Sequence, residues 1–213
     1  MTIIQMRWYK VRLPSAYQEV EYIESSWTQY IDTWLYANQN TTIEAKFSIN
    51  NRQGDYDKYY GSYWTNADGY YSMFLQSNIP YNNKLRAVNH NNTANRMYVD
   101  SLADFQFNEI YTTKHSNTEF YVNWVLQGTM NSSTFTTTYT IYIFWMHSYE
   151  SWGVTQLSAM KLYSFKMYDW QTLTRDLVPC YRIADWVIGL YDLVNNQFYT
   201  NSWTWTFTKW WNV

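Results

Sequence analysis

Alternation of apolar and polar side chains with a period of two dominates this chain, and it predicts β-strands along most of its length. In Thr42–Ile49, every odd-numbered position is apolar and every even-numbered position is polar. This pattern is typical of an antiparallel strand with one buried face. Two longer segments repeat the pattern, namely Tyr139–Phe144 and Leu157–Tyr168.

Shorter runs of the same kind predict further strands at a spacing of about 8–12 residues, which indicates a β-sandwich or a barrel. These runs are Glu19–Glu24, Thr28–Asp32, Lys58–Tyr63, Tyr70–Gln76, Lys84–Asn89, Arg96–Ser101, Glu109–Thr113, Glu119–Asn123, Thr172–Pro179, Val187–Asp192 and Gln197–Thr200. Asparagine pairs such as Asn82–Asn83 and Asn195–Asn196 lie between them. Asparagine tolerates left-handed backbone, so these pairs predict turns. The only helical element that the pattern allows is one short turn at Ser101–Phe105.

The chain reads as one domain. Hydrophobic residues make up 46% of its 213 residues, which is enough for a substantial core. No linker or repeat divides it, so we expect an N-terminal arm over residues 1–12 and a single domain over residues 13–213. The single cysteine, Cys180, lies in an apolar stretch, which predicts a buried, unreactive thiol rather than a nucleophile.

Charge excludes several classes of function. Charged residues are only 15% of the chain, the net charge is −2, and the basic residues never form a run. A nucleic-acid partner would require a clustered basic surface.

No apolar run approaches the roughly 18 residues of a membrane span, and Met1–Pro14 lacks the apolar stretch of a signal peptide.

Four segments carry a family resemblance, and they lie at the two ends of the chain. They are Leu13–Trp34, Ala159–Asp169, Arg175–Arg182 and Val187–Asn201. Together they resemble the concanavalin A-like lectin/glucanase (laminin G-like) jelly-roll domains of gut bacteria, prophages and phages. The resemblance implies an all-β, two-sheet antiparallel jelly-roll sandwich whose N-terminal hairpin lies near its C-terminal strands. Residues from about 50 to 155 match that family only in pattern.

Tryptophan stands where that family keeps glycine. The chain has 13 tryptophans and only 6 glycines. The positions concerned are Trp27, Trp34, Trp124, Trp186, Trp203, Trp205 and Trp210. Two explanations are open: the codon UGA is read as glycine and the tryptophans are nominal, or the tryptophans are real and their turns have adjusted. Real tryptophans predict φ < 0 or asparagine-assisted turns, whereas clustered strained tryptophans indicate a decoding artefact.

Catalytic constellations are weak in this sequence. A glucanase of this fold needs carboxylates two and four apart on one strand, so that they face one cleft. In Glu19–Glu24, Glu19 and Glu21 share a face, but Glu24 falls on the other. The histidines are far apart in presumed loops, which argues against a zinc site or a catalytic triad. We therefore expect no enzyme activity.

The aromatic segment 56–71 offers the best candidate for ligand binding. Tyrosine and tryptophan rings there alternate with groups that can bond hydroxyls, although the same rings could simply fill the core. The candidate ligand-binding residues are Asp55, Tyr56, Tyr59, Tyr63, Trp64, Asn66 and Tyr70. No cofactor is predicted other than calcium, with Asp55, Asp57 and Asp68 as candidate ligands, and turn formation is the favoured role of these aspartates.

These observations favour a non-catalytic recognition module that binds a surface glycan or a partner protein. From the resemblance we expect it in a phage or prophage virion or on a bacterial surface. The alternative is a purely structural virion protein, a fibre, tail or capsid decoration, that uses the jelly roll for assembly as a homo-oligomer. A glycoside hydrolase is a distant third.

Overall fold

The computed structural model describes residues 13–51, 56–63, 69–76, 83–90, 97–148 and 158–213, and within them all regular structure is β-strand. The strands are β1 (Tyr17–Glu19), β2 (Ile23–Glu24), β3 (Ile31–Asn38), β4 (Thr41–Ile49), β5 (Tyr56–Tyr63), β6 (Tyr70–Gln76), β7 (Lys84–His90), β8 (Met97–Asp100), β9 (Tyr111–His115), β10 (Glu119–Val122), β11 (Val125–Thr129), β12 (Thr136–Ile143), β13 (Met146–Ser148), β14 (Met160–Asp169), β15 (Thr172–Arg182), β16 (Ile188–Asp192), β17 (Gln197–Thr200) and β18 (Thr208–Lys209).

The strands form two sheets. The 11-stranded back sheet has the order β11-β10-β9-β4-β14-β15-β16-β17, with β1 beside β15, and with β2 between β14 and β18. The 7-stranded front sheet has the order β3-β12-β5-β6-β7-β8, with β13 beside β5. All pairs are antiparallel except β13 with β5. The predicted two-sheet antiparallel jelly-roll sandwich is confirmed.

One hydrophobic core fills the space between the sheets. Its largest fully buried side chains are aromatic, and five buried leucines, Leu75, Leu85, Leu162, Leu177 and Leu190, pack with them. Tyr60 of the front sheet meets Phe165 of the back sheet edge to face, with ring centroids 5.5 Å apart. Phe47 of β4 lies 5.4 Å from Tyr59 of β5. Aromatic rings thus form contacts across the core between the two sheets.

The two ends of the described chain lie together, as the resemblance implied. β18 pairs with β2, and Val20 bridges to Asn212. Leu13 is buried in a second small cluster with Val178 and Cys180. The predicted arm, residues 1–12, lies outside the described residues.

Most predicted strands are confirmed, and the errors have local causes. β3 was predicted at Thr28–Asp32 and lies at Ile31–Asn38, because its alternation breaks at Trp34, where φ is 57°. β11 and β13 are short and gave no periodic signal. The helical turn predicted at Ser101–Phe105 is wrong, since this segment forms bends. The backbone N–H of Ser101 and of Phe105 is bonded outside the segment, to the carbonyl oxygens of Leu85 and Asn83.

The φ angles at the turns bear on both the asparagine pairs and the tryptophans. Asn83 and Asn196 have positive φ, which confirms the expected role of the asparagine pairs. The expectation for real tryptophans was φ < 0 or an asparagine-assisted turn, and φ is positive at five of the seven positions: Trp27, Trp34, Trp124, Trp186 and Trp205. Of these five, Trp124 directly follows an asparagine, Asn123. Trp203 and Trp210 do not have positive φ, and Trp170 is a further case that the sequence did not indicate.

Candidate functional site

An aromatic cluster lies on the outer face of the front sheet, and cross-strand pairing places it there. Tyr142 of β12 is paired with Asp32 of β3 and with Gly61 of β5. Paired residues in antiparallel strands point to the same face. The neighbouring Ile143 pairs with Tyr60, a core residue, so Tyr142 and Asp32 point outward. Tyr30, two residues before Asp32, points the same way.

Four rings form a continuous stack at this site. Tyr139 lies on His147 with centroids 4.3 Å apart, and His147 lies on Tyr142 at 3.9 Å. Tyr142 in turn lies on Tyr30 at 4.4 Å, and all three pairs are within 21° of parallel. All four residues are half-buried, so part of each ring faces solvent. We call these four residues the aromatic stack.

Two tryptophans extend the stack at the Tyr30 end. Trp145 is 9% exposed and meets Tyr30 nearly edge to face at 5.1 Å. Trp203 is exposed, and its ring lies 6.4 Å from that of Tyr30. Asn201 orders the loop that carries Trp203, because its side-chain amide donates to the carbonyl oxygens of three loop residues: Trp203, Thr204 and Trp205. Its Oδ1 also accepts the backbone N–H of Tyr30, at 3.0 Å, which ties this loop to the stack.

A strained turn brings β13 back over the outer face. Phe144 has φ 70° although its side chain is bulky and fully buried against Phe207. Its N–H donates to the carbonyl of Tyr59, and its own carbonyl accepts the N–H and the hydroxyl of Ser158. These bonds and the buried ring hold a conformation that would otherwise be costly. The turn delivers Trp145 and His147 to the stack.

The stack is electrically neutral at pH 7, and among the described residues one carboxylate, that of Asp32, acts on its rings. Burial raises the pKa of the Tyr30 phenol, and the charge of Asp32 raises it further. Burial likewise raises the pKa of Tyr142 above its usual range. Burial lowers the pKa of His147, which the nearby Asp32 carboxylate partly opposes. The site therefore combines flat apolar rings, phenol hydroxyls and a single negative charge.

Two of the predicted ligand-binding residues lie together on the same outer face. Tyr63 and Tyr70 are 5.0 Å apart, and they pack with Phe74, Val88 and Met146. The ammonium group of Lys58 sits 3.4 Å from the ring centroid of Phe74 and donates to the Tyr70 hydroxyl. Tyr70 is nearly covered and Tyr63 is half-buried, so the accessible part of this cluster is small.

The other predicted residues are placed differently. Tyr59 points into the core beside Phe47, so it is not available to a ligand at the surface. Asp57 is 2% exposed and is paired across the strands with the core residue Leu75. The backbone of Tyr56 belongs to β5, and the remaining predicted residues, Asp55, Trp64, Asn66 and Asp68, lie outside the described residues.

Metal ligands do not converge in the described part of the chain. No three His, Cys, Asp or Glu side chains there are arranged to hold an ion. Asp57 is 2% exposed, and the other two candidate calcium ligands, Asp55 and Asp68, lie outside the described residues, so the calcium site stays a prediction. The three histidines, His90, His115 and His147, lie on strands rather than in the predicted loops. Cys180 is fully buried, as predicted, and burial raises its pKa to about 12.

Sequence reasoning missed the stack although part of its signal was present. Tyr139–Phe144 was identified as a strand, but its outward residue Tyr142 was not considered as a site. The missing information was the register, because only the pairing of Tyr142 with Asp32 and the return of β13 assemble rings that are distant in sequence.

No protein-family model matches the chain, and no sequence among characterised proteins does. Several solved structures are similar to it. A native heptameric SAP-like pentraxin from Limulus polyphemus aligns over 71% of this chain and 70% of its own, with TM-score 0.43 and 14% identity. Domains LG4-5 of the mouse laminin α1 chain align over 86% of this chain and 52% of theirs, with TM-score 0.48 and 10% identity.

The carbohydrate-binding module CBM66 from Bacillus subtilis is also similar. It aligns over 74% of this chain and 93% of its own, with TM-score 0.39 and 10% identity. At such low identity the likeness concerns the fold alone. In the part of the chain that the structure covers, no helix has the length and apolar character needed to cross a membrane.

Proposed function

We propose that this chain is a non-catalytic recognition module and that the aromatic stack with Asp32 binds a surface glycan. The observation that carries the proposal is the run of four half-buried rings, Tyr139, His147, Tyr142 and Tyr30, on one sheet face. Binding sites for small polar ligands combine apolar rings with a few fixed polar groups. Here the phenol hydroxyls and the Asp32 carboxylate supply those groups, and sugar hydroxyls are their complement.

Two further considerations support a binding role over a catalytic one. Asp32 is the carboxylate whose charge acts on Tyr30, Tyr142 and His147, whereas glycoside hydrolysis ordinarily uses a pair of carboxylates across the bond. Glu24, the last carboxylate of the segment Glu19–Glu24, lies in the back sheet and accepts a hydrogen bond from the side-chain amide of Asn50. The similar structures named above include a carbohydrate-binding module.

A phage or prophage virion or a bacterial surface is the setting that we propose, and it rests on the family resemblance.

The test is a printed array of bacterial and plant polysaccharides, followed by calorimetry with the best binder. Tyr30→Ala removes the ring at the Trp145 end of the stack, and we expect about tenfold weaker binding. Tyr36→Ala is the matched control, because Tyr36 lies on β3, the strand that begins directly after Tyr30, and is exposed. Thermal melts of both variants separate loss of contact from loss of fold.

Each outcome is decisive. Binding that falls for Tyr30→Ala and not for Tyr36→Ala supports the glycan site. No binding on the array, together with a defined oligomer in light scattering, would instead favour the structural virion role. Release of reducing sugar from a β-glucan would overturn both readings in favour of a hydrolase.

A further inference from the structure

Six tryptophans have a backbone conformation that glycine favours. Three of the 13 tryptophans, Trp8, Trp64 and Trp152, lie outside the described residues, which leaves ten. Six of these ten have φ between 54° and 82°, while none of the described tyrosines has positive φ. In this region the Cβ atom crowds the backbone, and only glycine enters freely. The six are Trp27, Trp34, Trp124, Trp170, Trp186 and Trp205.

Two of these positions lie in two-residue β-hairpins whose turn type specifies glycine. β10 and β11 are joined by Asn123–Trp124, and both residues have positive φ, 50° and 65°. That is the type I′ turn, for which Asn-Gly is a preferred sequence. β14 and β15 are joined by Trp170–Gln171, and only Trp170 has positive φ. That matches the type II′ turn, which has glycine at its first central position.

The side chains at the six positions are largely exposed, and among them Trp186 stacks on Tyr181 with ring centroids 5.1 Å apart. Five of the six are between 65% and 77% exposed, and Trp27 is 38% exposed. The fold uses the backbone instead: Trp170 N–H donates to the carbonyl of Asn40, and Trp186 N–H donates to that of Arg182. Trp145 is the opposite case, since it has no positive φ, is 9% exposed and packs against Tyr30 and Tyr142. Backbone conformation thus separates the six from the other four described tryptophans, none of which has positive φ.

We infer that the protein made in its own host carries glycine at these six positions, each encoded by a UGA codon that the host reads as glycine. Six residues of one type at glycine conformations are explained by a single decoding rule, whereas real tryptophans would require six separate strained turns. Glycine at these positions means that the six indole rings are absent from the surface. The aromatic stack and Trp145 are unchanged.

The codons give the first test. We expect UGA at the six positions and UGG at Trp145. UGG at the six positions would overturn the inference. Tryptic peptides of the protein from its natural source provide the second readout, since each affected peptide would be lighter by the difference between an indolylmethyl side chain and a hydrogen. Peptide masses that match tryptophan at these positions would also overturn it.

Stability gives a test that needs no natural source. Trp124→Gly and Trp170→Gly, made in the recombinant chain, should each raise the melting temperature by about 2–8 °C. Trp211→Gly is the matched control: Trp211 is 74% exposed without positive φ, so we expect no rise. If the parent chain does not fold, the comparison uses the variant with glycine at all six positions, which should fold. A melting temperature unchanged or lowered by Trp124→Gly and Trp170→Gly, or an unfolded six-glycine variant, would contradict the inference.

Discussion

The imidazole of His115 lies flat against the phenol ring of Tyr71, with centroids 4.2 Å apart and planes 14° apart. The two residues belong to different sheets, so the pair crosses the core. Tyr71 also donates its hydroxyl to the carbonyl oxygen of His115, at 2.6 Å. Both side chains are fully buried, and burial lowers the pKa of His115 to about 3. The folded protein therefore holds this imidazole neutral over the physiological range.

His115 should make the protein sensitive to acid. Its pKa is about 3 in the folded state and near the ordinary value of 6.5 when unfolded, so the unfolded chain binds the extra proton between these values. Stability is then highest above pH 6.5 and falls as the pH drops toward 3, by up to ~1.4 kcal/mol per pH unit. Urea midpoints measured from pH 8 to pH 4 give the slope.

His115→Phe separates this residue from the rest of the chain. The variant keeps a ring against Tyr71 but cannot be protonated, so its midpoints should fall less steeply between pH 6.5 and pH 4. The control is His147→Phe, because His147 is only half-buried and sits at the surface stack. An acid slope as steep in His115→Phe as in the parent would show that other groups cause the loss.

The contact between His115 and Tyr71 also shows the limit of prediction from sequence. Strands such as Tyr70–Gln76 and Gln197–Thr200 were predicted with the observed bounds, because alternation is a local property. His115 was assigned to a loop, since its strand ends there and a polar residue gave no sign of burial. Its stacking partner is 44 residues away and belongs to the other sheet. Contacts of that kind depend on register and sheet order, which no local pattern specifies.

The candidate site was predicted only in part, for the same reason. Tyr63 and Tyr70 of the predicted aromatic segment do lie on the outer face of the front sheet, but the larger accessible cluster combines Tyr30, Tyr142 and His147 from three separate strands or turns. Alternation does not tell which face of a strand is the core when aromatic residues occupy both. The bulge between Lys58 and Tyr60 in β5 turns both Tyr59 and Tyr60 toward the core, so the alternation of buried and exposed residues is lost there.

Cys180 should be inert in the folded protein. Burial raises the pKa of its thiol to about 12, so the reactive thiolate is scarce at pH 8, and the sulfur is inaccessible. We expect no reaction with Ellman's reagent at pH 8 and release of one equivalent of thiol in guanidinium chloride. Rapid labelling of the native protein would show that the cluster of Leu13, Val178 and Tyr191 around it opens readily.

Asn201 should act as a positioning residue for the proposed glycan site. Asn201→Ala removes the amide that orders the loop up to Trp205 and the acceptor for the N–H of Tyr30. We expect about tenfold weaker binding to the best polysaccharide, with the stack rings still present. The control is Asn38→Ala, which removes a comparable turn contact to Asn40 away from the stack. Equal losses for both variants would contradict a specific role for Asn201.

Arg175 should be more important for stability than any surface ion pair. From the back sheet, its Nε and Nη2 donate to the carbonyl oxygen of Thr33 in β3, at 3.2 Å and 3.0 Å. It also lies 3.5 Å from the carboxylate of Asp192, which is fully buried. Arg175→Met leaves that carboxylate without its cation. It also removes the two hydrogen bonds to β3, the strand that carries Asp32.

We expect Arg175→Met to cost ~3 kcal/mol of unfolding free energy, the lower end for a broken buried pair, because Asp192 keeps three N–H donors. Arg182→Met is the matched control, since Arg182 lies on the same strand and its pair with Asp185 is exposed. Surface pairs of that kind contribute little. Guanidinium unfolding of both variants measures the difference, and equal losses would mean that the contacts of Arg175 with Thr33 and Asp192 stabilise the fold no more than a surface ion pair does.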